Sequence, residues 1–310
     1  MDKTDQKLLA ELDINPKIPL TQLAKKLLIS QQVADYRMKR LVKQGIITKF
    51  GTIINLKSLR QEHYRVFFRF NAKFNATQVF EYLKNQKGVY WATRVGGKYD
   101  LLLTLFVFDF AAFDQFVDQF NKKFPGLIQD ITGCYVLDHY LYKHKALSQD
   151  FDAIEYGYND PIIELDALDQ YILKKIKDNC RIPALELARE GKTTYKTILN
   201  RIKHLEKERV ILGYRLFMKS EENQPFILLL SFKDYNRDKE KDLICYLARR
   251  EEVTQSLRMF GTWNLFLHIR TRDNEKLQSF IAELRGRFDL VNDYEIIPIF
   301  EDIAINLMPL

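Results

Sequence analysis

Few side chains in this 310-residue sequence are of a type and spacing suited to catalysis. His63, His139, His144, His204 and His268 are scattered, without metal-ligand spacing, so the expectation is no metal site and no cofactor. Cys134, Cys180 and Cys245 are widely spaced and odd in number. They offer neither a zinc motif nor a disulfide framework, which favours a reducing, cytoplasmic setting. The stretch VGGKYD at 95–100 lacks the Ser- or Thr-headed helix that a phosphate loop requires, and no Ser-His-Asp or Cys-His arrangement stands out. Catalytic residues are therefore expected to be none. What remains is positive charge: 48 Lys and Arg against 41 Asp and Glu, a net +7. That excess suits an anionic partner such as double-stranded DNA.

The basic side chains with the most telling arrangement lie at 30–44. Ser30 is a good N-cap, Gly45 a stop, and Ala34, Met38 and Leu41 recur at helical spacing as one buried stripe. The remaining positions offer Gln31, Gln32, Tyr36, Arg37, Lys39, Arg40 and Lys43 to solvent. Such a helix fits the major groove, with amides near its N-terminus for base edges and cations for phosphates. Two helices are expected before it. Thr4 caps one carrying Leu8, Leu9 and Leu12; Thr21 caps a short one with Leu23, Ala24 and Leu27. Together they make a helix-turn-helix, with IITKFGTIIN after it as a strand or wing.

The pattern occurs twice. Asp5 falls on Asp169, an offset of 169 − 5 = 164, and the same offset places Asn15 on Asn179, Pro19 on Pro183, Leu23-Ala24 on Leu187-Ala188 and Arg37 on Arg201. It also carries Gly97 to Gly261 and Phe116 to Phe280, blurring only around 51–74. The second recognition helix then exposes Tyr195, Lys196, Asn200, Arg201 and Lys203. These differ from the first helix at nearly every exposed position, so the two heads should not read the same half-site.

Behind each head the period changes. HYRVFFRFNA reads as a strand, 75–87 as a helix, VYWATRVG and YDLLLTLFVF as strands around Gly96-Gly97, and 109–124 as a helix whose Phe113, Phe116, Phe120 and Phe124 are core; LIQDITGCYVLDHY is a last strand. The fold class is α+β: two copies of a winged helix-turn-helix followed by a ferredoxin-like βαββαβ sensor domain. The expected domains are head one at 1–55, sensor one at 60–146, a linker at 147–164 with Ser148, Gly157 and Asn159-Asp160-Pro161, head two at 165–219 and sensor two at 224–310. Each sensor sheet has an apolar face to bury, so the two should pack sheet on sheet as an intramolecular pseudo-dimer, leaving sheet edges for a homo-oligomer. No apolar run is long enough for a membrane span, and the charged N-terminus is unlike a signal peptide.

The sequence resembles the leucine-responsive/AsnC family of regulators. The resemblance rests on Asp5 with Leu8, Leu9 and Leu12, on Leu23-Ala24, on Ser30, Arg37, Met38, Arg40, Leu41, Gly45 and Ile46, and on the turn Gly97-Lys98-Tyr99-Asp100. It implies transcription regulation, dimerisation through sensor sheets, and an amino-acid effector bound near the glycine turns, at Gly97 and Asp100 and at Gly261 and Asn264. The sequence departs from the family where Leu28 and Lys192 replace the usual glycine of the helix-turn-helix turn, where Arg209 replaces Gly45, and where Asn264 replaces Asp100. Asp100 attracts an α-ammonium by charge and Asn264 does not, so the first cleft is expected to bind the effector more tightly. Siroheme decarboxylases share the architecture and are the rival from another class; of their His- and Arg-rich stretch this chain keeps only His63, Arg65 and Arg69. A third reading is a scaffold that does not bind DNA, whose helix-turn-helix heads mediate protein contacts.

Overall fold

The computed structural model describes residues 1–71, 75–143, 153–219 and 224–309; His144 and Ser148 lie outside them. The chain opens with α1 (Lys3–Ile14), α2 (Leu20–Leu27), α3 (Gln31–Lys43) and β1 (Ile47–Ile54). Then come β2 (Glu62–Phe70), α4 (Ala76–Lys84), β3 (Val89–Val95), β4 (Leu101–Val107), α5 (Phe110–Lys123) and β5 (Ile128–Tyr142). A short β6 (Ala153–Gly157) stands in the stretch read as a linker. The same order then recurs as α6 (Ala167–Ile176), α7 (Ala184–Glu190), α8 (Tyr195–Lys207), β7 (Ile211–Met218), β8 (Gln224–Phe232), α9 (Arg237–Ala248), β9 (Val253–Gly261), β10 (Leu265–Thr271), α10 (Asn274–Arg287) and β11 (Val291–Ile305). Two compact units result, and they do not follow the halves of the chain: one joins both helical heads with β1 and β7, the other joins both sensor sheets.

In the head unit, α1 begins two residues earlier than Thr4 would place it. Asp2 accepts from the Asp5 amide while the Asp5 carboxylate accepts from the Asp2 amide, and Asp166 and Asp169 repeat this reciprocal cap on α6. Thr21 does not cap α2. Pro19 holds the cap position with no side-chain bond, as Pro183 does for α7. Ser30 caps α3 and Thr194 caps α8, each accepting from the amide three residues on. The wings pack on their own heads, Ile47 of β1 entering the first core, and also pair with each other. β1 pairs antiparallel with β7, Gly51 opposite Arg215, so the two heads share one ribbon. Leu216 of β7 completes the core of the first head with Leu8, Leu12, Leu23 and Leu41. Cations sit over aromatic rings on either side of the ribbon: Lys17 over Tyr214 at 4.2 Å and Arg181 over Phe50 at 5.5 Å. The partners correspond at the 164-residue offset, 17 to 181 and 50 to 214.

In the sensor unit, each copy forms a four-stranded sheet in the order β5-β2-β4-β3 or β11-β8-β10-β9. Strand β2 alternates: Tyr64, Val66 and Phe68 meet α4 and α5 through Val79, Leu83, Phe116 and Phe120, while Phe67 faces the opposite way. The opposite faces of both sheets share one core, in which Phe67, Trp91 and Leu102 meet Ile227, Leu257 and Phe266. The sheets also join edge to edge. The N-terminal part of β5 pairs with β2 and its C-terminal part with β9; β11 pairs likewise with β8 and then β3. Pairing therefore runs full circle through eight strands, with β6 added beside β5. The edges expected to serve a homo-oligomer are used within the chain. The blurred register also has its cause. Phe70 and Phe232 hold equivalent positions at an offset of 162, since each donates its amide to the turn residue Asp100 or Asn264. The link before β8 is thus two residues shorter, and the link after it regains them.

Candidate nucleic-acid interface and effector cleft

Within α3, spacing alone did not separate surface cations from structural ones. Arg37 Nη1 bonds Asp2 at 2.7 Å and Asp5 at 2.8 Å, and Arg40 Nη2 bonds the other oxygen of Asp5 at 2.6 Å. Asp5 is 2% exposed, so these guanidinium groups hold α3 against the start of α1. Arg201 does the same in the second head, to Asp166 at 2.7 Å and Asp169 at 3.2 Å. The Arg37 hydrogen bond is the main cause that holds the Asp2 carboxyl below its ordinary range, and Arg37 itself is held above its own. Arg37 and Arg40, expected as phosphate contacts, and Arg201, expected on the DNA-binding face of the second head, each pair with acidic residues of their own head.

The exposed face of α3 is a different set. Ser30, Gln31, Gln32, Tyr36, Lys39 and Lys43 are exposed, and Gln32, Tyr36, Lys39 and Lys43 follow one another along a single stripe. Lys39 pairs with Asp35 one turn back at 2.7 Å, yet its side chain remains 74% exposed. On α8 the corresponding stripe is Lys196, Asn200, Lys203 and Lys207, with Tyr195 beside it. Lys207 was missed in the sequence, although the offset carries Lys43 to it: 43 + 164 = 207. The turns before both helices hold non-glycine residues in the left-handed region, Leu28 at φ 56° and Lys192 at φ 50°.

The two glycine turns differ in their surroundings. Asp100 Oδ2 accepts the Phe70 amide at 2.7 Å, and Asn264 Oδ1 accepts the Phe232 amide at 2.8 Å. Both side chains tie the turn to the neighbouring strand through one oxygen each. The first turn is also covered: a Cβ on Gly96 would stand 2.6 Å from the Phe300 ring, and Arg94 lies over that ring. Gly97 is exposed beside it. Near the second turn lies a cavity of about 240 Å³, lined by Asn264, Arg258, Glu240 and Arg237 with Phe260 and Tyr235 at 62% and 77% exposure. Gly261 borders this turn, where a Cβ would press on Gly133 and Cys134. Arg258 pairs with Asp138 at 2.5 Å and stands 4.0 Å from Glu240, and Arg237 reaches Glu240 at 3.4 Å. Burial is the first cause raising the Glu240 carboxyl, opposed by Arg258 and Arg237. The cleft thus presents both signs of charge beneath aromatic rings.

Residues 1–48 match the winged helix-turn-helix DNA-binding family, and residues 226–305 match the Lrp/AsnC ligand binding domain. An uncharacterized HTH-type transcriptional regulator of Pyrococcus abyssi is 33% identical over 135 residues, 43% of this chain and 90% of the relative. One from Pyrococcus horikoshii aligns to the same extent at 33%. The chain belongs to the Lrp/AsnC family of helix-turn-helix transcription regulators. Its length is what sets it beside these relatives, since each spans under half of it. Among solved structures, the siroheme decarboxylase NirDL superposes with a TM-score of 0.69 over 99% of this chain and 94% of that one, at 14% identity. That likeness is one of fold. Among the described residues no helix of this Lrp/AsnC protein is long and apolar enough to cross a membrane, and no cluster of His, Cys, Asp or Glu could hold a metal ion.

Proposed function

We propose that this Lrp/AsnC regulator binds an asymmetric, two-part DNA site with α3 and α8 of one chain, in the cytoplasm, acting as its own pseudo-dimer rather than as an enzyme. The shared β1–β7 ribbon carries the reading, because it makes two differently dressed recognition helices parts of one body. Gln31, Gln32 and Tyr36 on α3, and Tyr195, Lys196 and Asn200 on α8, serve base edges. Lys39, Lys43, Lys203 and Lys207 serve phosphates, while Arg37, Arg40 and Arg201 hold the helices in place. An amino acid is the effector, seated by the Gly261–Asn264 turn, with Glu240 facing its ammonium and Arg237 its carboxylate.

Site selection from a random DNA pool, followed by titration across salt, tests this. Lys43→Ala should weaken binding to every sequence and reduce the salt slope by about one. Gln32→Ala should relax preference at one or two base pairs, at a cost of about 1–3 kcal/mol for the preferred site. Absence of DNA affinity at low salt would remove the reading and bring forward the enzyme, for which an absorbance change on anaerobic addition of siroheme is the measurement. Calorimetry with an amino-acid panel should find one site per chain, weakened by Glu240→Gln; two equivalent sites would refute the cleft assignment.

A further inference from the structure

The core enclosed by the sensor strands is not uniformly apolar. His63 and Arg65 project inward from β2, two residues apart and on the same side as Phe67. Arg65 is 2% exposed and His63 1%. The guanidinium donates from Nη1 to the Thr104 hydroxyl, directly across the β2–β4 pair, and its Nε is buried without a hydrogen-bond partner. It lies over two aromatic rings, Trp91 at 5.0 Å and Phe266 at 4.5 Å. His63 stacks on Phe106 at 4.2 Å, and its Nε2 is likewise buried without a partner. No carboxylate pairs with Arg65 among the described residues, and the groups that act on its charge are the phenols of Tyr156 and Tyr90. The second copy has nothing like this: at the β2/β8 offset of 162, position 65 falls on 227, which is the fully buried Ile227.

An uncompensated buried guanidinium costs several kcal/mol, and an apolar residue of similar volume fills such a place at no loss. The second copy shows that this fold accepts one. Retaining arginine there is explained by a partner that supplies the opposite charge. With Nη1 engaged by Thr104, the in-plane edge formed by Nε and Nη2 has no hydrogen-bond partner among the described residues. Two parallel donors in one plane match the two oxygens of a carboxylate. A single guanidinium charge in an apolar surround favours a monoanion, since a second negative charge would itself be left uncompensated.

We propose that the core enclosed by the sensor strands holds a monocarboxylate, bound bidentate to the Nε–Nη2 edge of Arg65, with the His63 imidazole as a further donor. The site is separate from the effector cleft, which shares none of His63, Arg65, Thr104, Trp91 and Phe266. It does not depend on the effector reading. Burial draws Arg65 down to about 9, so the group remains charged at neutral pH.

The test uses the full chain, stripped of small molecules and titrated with sodium acetate against sodium chloride at constant ionic strength. Histidine is labelled with ¹⁵N, and thermal unfolding is followed in parallel. Acetate should raise the melting temperature saturably, move the His63 Nε2 resonance and do both without chloride's help. Arg65→Lys keeps the charge but loses the planar edge, and should weaken acetate about tenfold or more. Arg65→Met should abolish the response and leave the chain more stable without acetate. Glu240→Gln, in the effector cleft, should leave acetate binding intact. Equal responses to acetate and chloride, an unmoved His63 resonance, or undiminished acetate binding in the Arg65 variants would overturn the proposal. The wild-type resonance decides the matter even if an Arg65 variant fails to fold.

Discussion

His63 shows how far burial rather than neighbours governs a residue in this chain. Its imidazole is held well below the ordinary histidine value, first by burial and then by the positive fields of Arg65, His139 and Lys57. The folded state therefore keeps it neutral, while the unfolded chain takes up a proton below about pH 6.5. The unfolded state binds more protons in that range, so the stability this residue contributes is complete above pH 6.5 and is lost as pH falls. The loss should steepen as pH falls below 6.5 and continue for as long as the folded state keeps the ring neutral. Chemical denaturation of wild type and His63→Asn in acetate-free buffer between pH 7.5 and 5 checks it. The variant should lose less stability on acidification, and parallel curves would contradict the assignment. The residue types of the site were legible in the sequence, but their occupations were not. Arg37 and Lys39 look alike as exposed cations on one helix. Only the buried Asp5 carboxylate, 32 residues away from Arg37, separates the clamp from the free face. Asp100 reads as a free carboxylate in the sequence, and only the fold shows that the Phe70 amide, from the neighbouring strand, bonds one of its oxygens.

At the scale of elements, most of the fold was legible because it rests on short-range signals. The helical period of Leu8, Leu12 and Leu41, the alternation of β2, and the Ser30 and Asp109 caps are all local. The ribbon and the closed pairing were not, since strand alternation says which face is buried and not which edge meets which. One local irregularity was legible and has an energetic consequence. The turn between α2 and α3 places Leu28 at φ 56°, with the side chain 91% exposed. A branched residue there carries a left-handed penalty of about 1–2 kcal/mol, with no packing to offset it. Leu28→Gly removes the penalty at some cost in unfolded-chain entropy, for a net gain of about 0.5–1 kcal/mol. Urea denaturation should show a higher midpoint with an unchanged slope. A lower midpoint would mean that Leu28 makes a contact in the folded chain that its exposure conceals.

At the scale of the whole molecule, the two halves complete each other in both units. In the heads, β7 supplies Leu216 to the first core and the full ladder for β1. In the sensors, the β3 and β5 edges of the first half meet β11 and β9 of the second, over one shared apolar core. A fragment of residues 1–150 would expose that inner face and two strand edges, which favours association over a free monomer. Two such fragments have the strands to pair with each other, because the elements repeat. They would, however, place two copies of Arg65 in one closed interior, where the whole chain places one opposite the apolar second half. The halves should therefore prefer each other. Co-expressed 1–150 and 151–310 should elute as a one-to-one complex by light scattering, while 1–150 alone aggregates or pairs weakly. Arg65→Met should strengthen self-pairing of the 1–150 fragment, because the buried charges are gone. A soluble, monomeric 1–150 that ignores its counterpart would show that the closed pairing is not what stabilises the sensor unit.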